Sequence, residues 1–388
     1  MLEPSGSVRR RTSPAPRSAV VHDFFVTEGG GEAVALEFAR LLPQAPVHTS
    51  FFDAARFGDR LDPARVRTWP LQRLLGPTRH FRALYPLYPL YFGALDLRRA
   101  RLVISSSVAF TKAVRTAPSS LHLSYVYTPL RYAWQLESYL QGSSLPRPAK
   151  AAARAIRPLL QRWDRGTAGR PDVIVTSSET VRRRIQRLWD RDAEVIHPPV
   201  ETAGIALSTR DDGYLLIASR LLAYRRVDLA VAAATRLGRR LVVVGDGPER
   251  ARLERIAGPT VRFAGHIDRA ALLELFAGCH AYLVPGVEDF GMAPVEAMAA
   301  GKPVVARRAG GATETVVDGA TGIFFDEPTA AALADAIERL DRTALSPDVA
   351  RARALTFDGD VFRRRWRELL AREGADPSLY SGGWIEPR

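Results

Sequence analysis

Short runs of apolar, mostly β-branched residues recur along the chain. Between them lie longer stretches whose apolar positions return every three or four residues. The first pattern suits strands buried on both faces, the second amphipathic helices. In the first half, strands are expected at residues 19–21, 46–49, 102–104, 121–125, 172–176 and 195–197. In the second half they are expected at 214–217, 241–244, 261–263, 281–284, 303–306 and 322–325. Helical patterns, among them 32–42, 227–236, 248–256, 269–276 and 294–300, fall between these runs. Such alternation predicts parallel sheets covered by helices on both faces. The pattern restarts near Gly213, after a stretch without periodicity from Pro198 to Asp212. The expected architecture is α/β, with two doubly wound domains in series at residues 18–200 and 201–356. Residues 1–17, rich in Ser, Pro and Arg, read as a disordered lead-in without the apolar stretch of a secretion signal. Residues 357–388 hold a last helix, over 360–373, and a tail. That helix is a candidate to cross back onto the first domain. A ligand between two such domains would meet loops from both, because open sheets bind beyond the carboxyl ends of their strands.

Four strand-to-loop transitions carry candidate chemistry. Gly245-Asp246-Gly247-Pro248-Glu249-Arg250 has the first two glycines of a dinucleotide fingerprint, but Arg250 stands where the third belongs. A tight turn explains it better than a redox cofactor does. After the strand ending near Pro285, Glu288-Asp289-Phe290-Gly291 leads into a helix whose first turn holds Pro294. A helix start offers unpaired N–H groups and a positive dipole end to phosphate, and Gly291 allows close approach. Glu288 and Glu296, eight apart, could accept hydrogen bonds from sugar or ribose hydroxyls, although capping and solvation account for them as well. Arg220 and Arg225 follow the strand at 214–217, where guanidinium forks suit phosphate oxygens or simply decorate a basic loop. Gly29-Gly30-Gly31-Glu32 follows His22-Asp23, either as a phosphate-approach turn or as a flexible one.

Together these features resemble family 4 of the retaining glycosyltransferases. Glu288 and Glu296 match its E-x7-E motif, which continues through Glu296-Ala297-Met298-Ala299-Ala300-Gly301-Lys302-Pro303 and Gly310-Gly311-Ala312-Thr313-Glu314. In the first half, His22-Asp23, the glycine turn, Val103-Ile104-Ser105-Ser106-Ser107 and Thr128-Pro129-Leu130-Arg131-Tyr132-Ala133-Trp134 look like the bacterial mannosyltransferase-like branch. The resemblance covers about residues 19–370. It implies the GT-B fold, two Rossmann-like parallel-sheet domains facing an interdomain cleft. It further implies a metal-independent hexosyltransferase acting with retention. Its donor would be a nucleotide sugar, with GDP-mannose the first expectation and UDP- or dTDP-sugars open, and no cofactor would be required. By the same resemblance, Glu288 would contact the transferred sugar and Glu296 the ribose. The amides of Phe290, Gly291, Met292 and Ala293 would line sugar and phosphates, Arg220 and Arg225 would neutralise the leaving diphosphate, and Gly30 would approach it from the first domain. Asp23 and Arg131 are placed on the acceptor side. Two positions depart from the family pattern. Arg225 replaces the usual lysine, and Tyr127 replaces a histidine expected near the reacting centre, so Tyr127 enters the catalytic set only conditionally.

Composition changes the picture in three respects. The net charge of +13 is uneven: residues 1–200 hold 30 Lys/Arg against 16 Asp/Glu, and residues 201–388 hold 25 against 26. A basic first half suits an anionic membrane surface or an anionic substrate, or reflects arginine-rich solvated faces. It carries no nucleic-acid reading motif. Residues 69–95 mix Arg73, Arg79 and Arg82 with Trp69, Phe81, Tyr85, Tyr88, Tyr91 and Phe92, which fits either a membrane interface or a packed helical excursion. The single cysteine, Cys279, fits a reducing cytoplasm, and neither the histidines nor Asp358-Gly359-Asp360 has the context of a metal site. The expected partners are a nucleotide sugar and a glycan, lipid-linked or small-molecule acceptor. The competing readings are a nucleotide-sugar epimerase or phosphorylase of the same fold, and a catalytically silent saccharide or nucleotide binder.

Overall fold

The computed structural model describes residues 17–76, 81, 84–141, 146–380 and 382. The lead-in up to residue 16, Arg79 and Arg82 fall outside them. The first sheet contains β1 (Ser18–His22), β2 (Val47–Thr49), β3 (Val66–Thr68), β4 (Leu102–Ser107), β5 (Leu121–Val126), β6 (Val173–Thr176) and β7 (Glu194–Val195). The second contains β8 (Tyr214–Ala218), β9 (Leu241–Val244), β10 (Val261–Gly265), β11 (Cys279–Val284), β12 (Val304–Arg307) and β13 (Gly322–Phe325). Their orders are β3-β2-β1-β4-β5-β6-β7 and β10-β9-β8-β11-β12-β13. Every strand pairing within the two sheets is parallel. The two α/β sheets with GT-B architecture agree with the fold expected from the alternating pattern. The strand that the pattern missed, β3, is a three-residue edge strand reading Val-Arg-Thr, too short and too mixed for a period to register.

Both faces of each sheet are covered, which is why the strands read as apolar runs rather than alternations. In the second domain Leu215, Ile217 and Val243 join one cluster while Leu216, Val242 and Val244 join the opposite one. In the first domain the helix Gly30–Leu41 supplies Val34, Leu36 and Phe38 to one face. The other face is filled by aromatic residues of the 69–95 stretch: Phe81, Tyr88 and Phe92 are buried, and Trp69 stacks on Tyr91 at 5.0 Å. The hydroxyls of Tyr88 and Tyr91 donate to the carbonyls of Phe81 and Thr49. This stretch is therefore a packed excursion, and its aromatic rings are spent on the domain's own core.

The last helix, Gly359–Arg372, belongs to the first domain's core rather than the second's. It lays Phe362, Trp366, Leu369 and Leu370 on the cluster built around Phe38, with Trp366 edge-on to Phe38 at 4.6 Å. Asp358 starts it. One carboxylate oxygen accepts from the Asp360 amide at 3.0 Å, and the other accepts from the Thr202 hydroxyl at 2.6 Å, which ties the helix start to the interdomain linker. Val200 and Asp358 pair as an isolated parallel bridge, so two chain crossings run side by side between the domains. Among the described residues no helix is long and apolar enough to cross a membrane. Trp366 is fully buried, so Trp366→Ala should cost ~3–5 kcal/mol through lost transfer energy and a residual cavity. Urea unfolding followed by circular dichroism reads the shift. A cost below ~1 kcal/mol would mean that the helix is not integral to the domain.

Candidate functional site

The strand order reverses between β1 and β4 in the first sheet and between β8 and β11 in the second. Loops at the carboxyl ends of these strands face each other, and each reversal point is bridged by a carboxylate. In the first domain that carboxylate is Asp23. It is fully buried and accepts from the amides of Val108 at 2.7 Å, Ala109 at 3.1 Å and Phe110 at 2.8 Å. Burial pushes its pKa up to about 6, against the three amides, which pull it down. Both oxygens are committed to the loop after β4, so Asp23 shapes the floor of the cleft instead of presenting a carboxylate to an acceptor. In the second domain the bridge is Glu288, in the loop after β11, which forms an ion pair with Arg225, in the loop after β8. Burial works against the Arg225 charge, but the Glu288 carboxylate outweighs it and raises the guanidinium's pKa.

The glycines around this bridge are explained by close approach. A Cβ on Gly286 would lie 2.6 Å from the carbonyl carbon and oxygen of Arg225. A Cβ on Gly310 would collide with the Glu288 carbonyl, and one on Gly311 with the Phe290 backbone. Gly311 N–H donates to that same Glu288 carbonyl at 2.8 Å. The Gly245-Asp246-Gly247 turn is likewise pressed on the backbone of Ser219 and Leu221. These glycines stack loop on loop, and the Arg220–Arg225 and 286–291 segments are seated on rigid backing.

Gly291, at φ +91°, turns the chain into the helix Met292–Ala299, whose start has no side-chain cap. The Phe290 ring leaves the cleft to stack on His197 at 5.3 Å, so only its backbone stays at the opening. A cavity of about 360 Å³ lies against this helix start. Its walls include Gly30, Tyr127 and Arg131 of the first domain and Arg225, Glu288, Gly291, Met292 and Ala293 of the second. Gly30 stands so close to Met292 that a Cβ there would be 2.8 Å from the Met292 sulfur. Glu296 lies one turn deeper, paired with Arg269 at 2.8 Å. Burial raises its pKa, partly offset by that arginine. Arg220 is exposed, has no ion pair among the described residues, and acts electrostatically on Glu32 across the cleft.

Tyr127 occupies the cleft wall in an unexpected way. Its hydroxyl donates to the Gly31 carbonyl at 2.9 Å and lies 2.9 Å from the Ser106 hydroxyl. Ser106 in turn meets His22 Nδ1 at 3.1 Å. The consistent polarity has His22 donating to Ser106, Ser106 to Tyr127, and Tyr127 to Gly31. Burial raises the phenol's pKa well above its ordinary value and lowers that of His22 to about 4. Tyr127 thus pins the glycine turn, and its oxygen is not poised to take a proton. Arg131 is held by Asp289 of the second domain. Its segment is anchored by Asp164, a buried carboxylate. Asp164 accepts from Lys112 at 2.6 Å, Trp134 Nε1 at 2.7 Å, Trp189 Nε1 at 2.8 Å and the Leu130 amide at 3.3 Å.

Three residues at this cleft lay outside the expected site. Asp289 was visible only as part of its motif. Arg184, which donates to Asp289 at 2.7 Å and to Thr128 at 2.6 Å, sits in an Arg182-Arg183-Arg184 run where spacing singles out none of the three. Glu32 is 6% exposed, and burial pushes its pKa up to about 7 from 4.5, against its own backbone amide and a 3.3 Å bond from the Thr27 hydroxyl to its Oε1. Between those two values the folded chain holds a proton that the unfolded chain releases. Stability therefore falls as pH rises from about 4.5 to 7 and stays low above. Glu32→Gln should remove that loss, stabilising the protein by up to ~3 kcal/mol at pH 8 and by little at pH 5. Thermal melts across this range check it. An equal shift at both pH values would sink the assignment.

Residues 204–348 match the family described as "Glycosyl transferases group 1". A glycogen synthase of Mycobacterium tuberculosis (strain H37Rv) is 32% identical over 211 residues, covering 49% of this chain and 51% of that protein. A GDP-mannose-dependent alpha-mannosyltransferase of Mycolicibacterium smegmatis is 27% identical over 265 residues, covering 66% of this chain and 64% of that protein. The chain thus spans about half to just under two thirds of the length of these curated relatives. Among solved structures, HepE of Anabaena in complex with UDP aligns with a TM-score of 0.66 at 19% identity, over 92% of this chain and all of that one. Sucrose-phosphate synthase of Thermosynechococcus elongatus aligns at 0.69 and 18% identity, over 93% of this chain and all of that one. These likenesses bear on the fold alone, and with the domain match they agree on one assignment. Residues 204–348 thus resemble the group 1 glycosyl transferases, of the family 4 type, and the chain as a whole has a GT-B fold.

Proposed function

We propose that the chain moves a hexose from a nucleotide diphosphate sugar to an acceptor hydroxyl, with retention at the anomeric carbon. The observation that carries this reading is the approach of Gly30 to Met292, which sets bare backbone of one domain against a helix start of the other. A diphosphate in the cavity of about 360 Å³ beside this contact would face unpaired amides and the positive end of the helix dipole. Glu288 would take the sugar's hydroxyls and Glu296 the ribose. Arg220 and Arg225 would meet the charge that grows as the bond from anomeric carbon to diphosphate oxygen breaks. The acceptor oxygen then bonds to that carbon from the same face, and its proton passes to a donor phosphate oxygen. No metal is invoked, because the arginines supply the cationic role. GDP-mannose is the first donor to try, as the mycolicibacterial relative named above is GDP-mannose-dependent; UDP- and dTDP-sugars follow.

The acceptor would enter through an adjoining cavity of about 200 Å³ lined by Phe24, Tyr85, Tyr127, Arg131, Tyr132 and Tyr224, among others. Its aromatic walls favour an acceptor that presents the apolar face of a ring, whether glycan, lipid-linked saccharide or small natural product. A membrane-held acceptor is favoured by the surface helix Arg147–Thr167. This helix carries six Lys/Arg and exposes Ile156 and Leu159 at 47% and 68%. Liposome sedimentation at low salt should bring the protein down with anionic vesicles and not with neutral ones. No binding to either would remove the membrane contact. The enzyme would then work in the cytoplasm on a free acceptor.

Incubation with a panel of nucleotide sugars, followed by measurement of free nucleotide and product mass, tests the transfer itself. Glu288→Gln and Arg220→Ala should each lower turnover by ~10²–10³-fold. Arg220→Ala should leave the melting temperature unchanged, since that side chain is exposed and has no ion pair among the described residues. Tight donor binding without release of nucleotide from any donor would favour a silent binder instead.

A further inference from the structure

The loop after β11 carries two adjacent carboxylates that serve opposite domains. Glu288 turns to Arg225 of its own domain. Asp289 crosses the cleft, where one oxygen accepts from Arg184 at 2.7 Å and the other pairs with Arg131. The side chains of Asp289 and Arg184 are 17% and 15% exposed, and that of Arg131 is 24% exposed, so the cluster is largely removed from water. Both arginines are anchored on the first domain's side. Arg184 also donates to Thr128, and the Leu130 and Trp134 groups flanking Arg131 are bonded to buried Asp164. Asp289 is anchored equally firmly from behind, because Gly286, Gly310 and Gly311 seat its loop against neighbouring backbone with no room for a Cβ.

A second link binds the same parts. Glu314 of the second domain accepts from the amides of Glu179 at 2.8 Å and Thr180 at 3.1 Å. These open the first-domain helix Glu179–Trp189, the one that carries Arg184. One helix is thus held by the second domain both at its start and near its middle.

We propose that Asp289, gripped by Arg131 and Arg184, is a closure latch that fixes the spacing of the two domains and so positions Glu288 over the cleft. Asp289 is a positioning residue: it acts through Glu288, its neighbour on a rigidly seated loop. Removing one member leaves desolvated charge behind, so the closed arrangement loses most of its advantage when any of the three is changed. The latch stands on geometry alone; its effect on turnover rests on the proposed transferase reading.

The full chain allows a direct test, because its one native cysteine, Cys279, is buried. Spin labels on cysteines introduced as Asp59→Cys and Glu274→Cys, exposed positions in the two domains, report interdomain distance by pulsed resonance without any donor. In the parent the distance distribution should be narrow. With Asp289→Asn, and independently with Arg184→Gln, it should broaden and lengthen while both variants stay folded. Unchanged distributions in both variants would overturn the latch. Where a donor is turned over, each variant should lower kcat by at least ~10-fold with donor KM changed less than ~3-fold, and the double variant should be no slower than the slower single one. Additive losses in the double variant would likewise overturn it. Lengthened distances in a protein that turns over no donor would leave the latch standing and remove the transferase reading.

Discussion

The cleft depends on where one short loop sits, and that loop is held by carboxylate–guanidinium pairs on both sides. Glu288 faces Arg225 within its domain, and Asp289 faces Arg131 and Arg184 in the other. Attraction between such charges is strong only where water is sparse, and the same dryness makes each unpaired charge costly. The surroundings therefore have to be rigid enough to keep the partners in register. Glycines provide that rigidity in an indirect way. At positions 286, 310 and 311 they let backbone lie on backbone, so the loop has solid protein behind it instead of side chains that can shift.

The same device operates on a smaller scale in the first domain. Asp23 joins the ends of β1 and β4 through three amides, and the His22–Ser106–Tyr127–Gly31 chain fastens the glycine turn beside it. Two of these residues that looked like chemistry in the sequence, Asp23 and Tyr127, have their polar atoms bonded within the first domain. A conspicuous Asp beside a glycine turn, or a Tyr where the family resemblance leads one to expect His, says that the place matters without saying whether the side chain meets a substrate. That distinction needs the partner's identity, and the partners lie 85 residues away for Asp23 and 96 for Tyr127.

The larger architecture was far more legible. Strands with both faces buried announce themselves as apolar runs, and twelve of the thirteen were placed that way. The edge strand β3, exposed on one side and only three residues long, gave no signal. The E-x7-E segment marked the helix start through Pro294 and Gly291, and both acids through the family resemblance, since their spacing alone also suited capping and solvation. Arg184 could not be found by the same route. Its importance lies in a contact 105 residues distant, and in the chain it is one arginine in a row of three. The aromatic stretch at 69–95 was hard to read for the same reason. Aromatics at 69–95 suggest a membrane surface only while their packing partners are unknown; Phe110 and Tyr85 claim several of them for the interior.

The placement of the last helix bears on how the protein is made. The first domain's core around Phe38 and Tyr125 is completed by Phe362 and Trp366, which the ribosome adds after the entire second domain. Domains made of contiguous chain can fold as they emerge. Here the amino-terminal domain must wait, with an apolar face uncovered, through the synthesis of roughly its own length again. The carboxyl-terminal domain, though translated later, is the one that can finish first. Nascent chains of this protein should therefore need protection at their earlier half, and a premature stop before residue 359 would strand a finished second domain on an unfinished first.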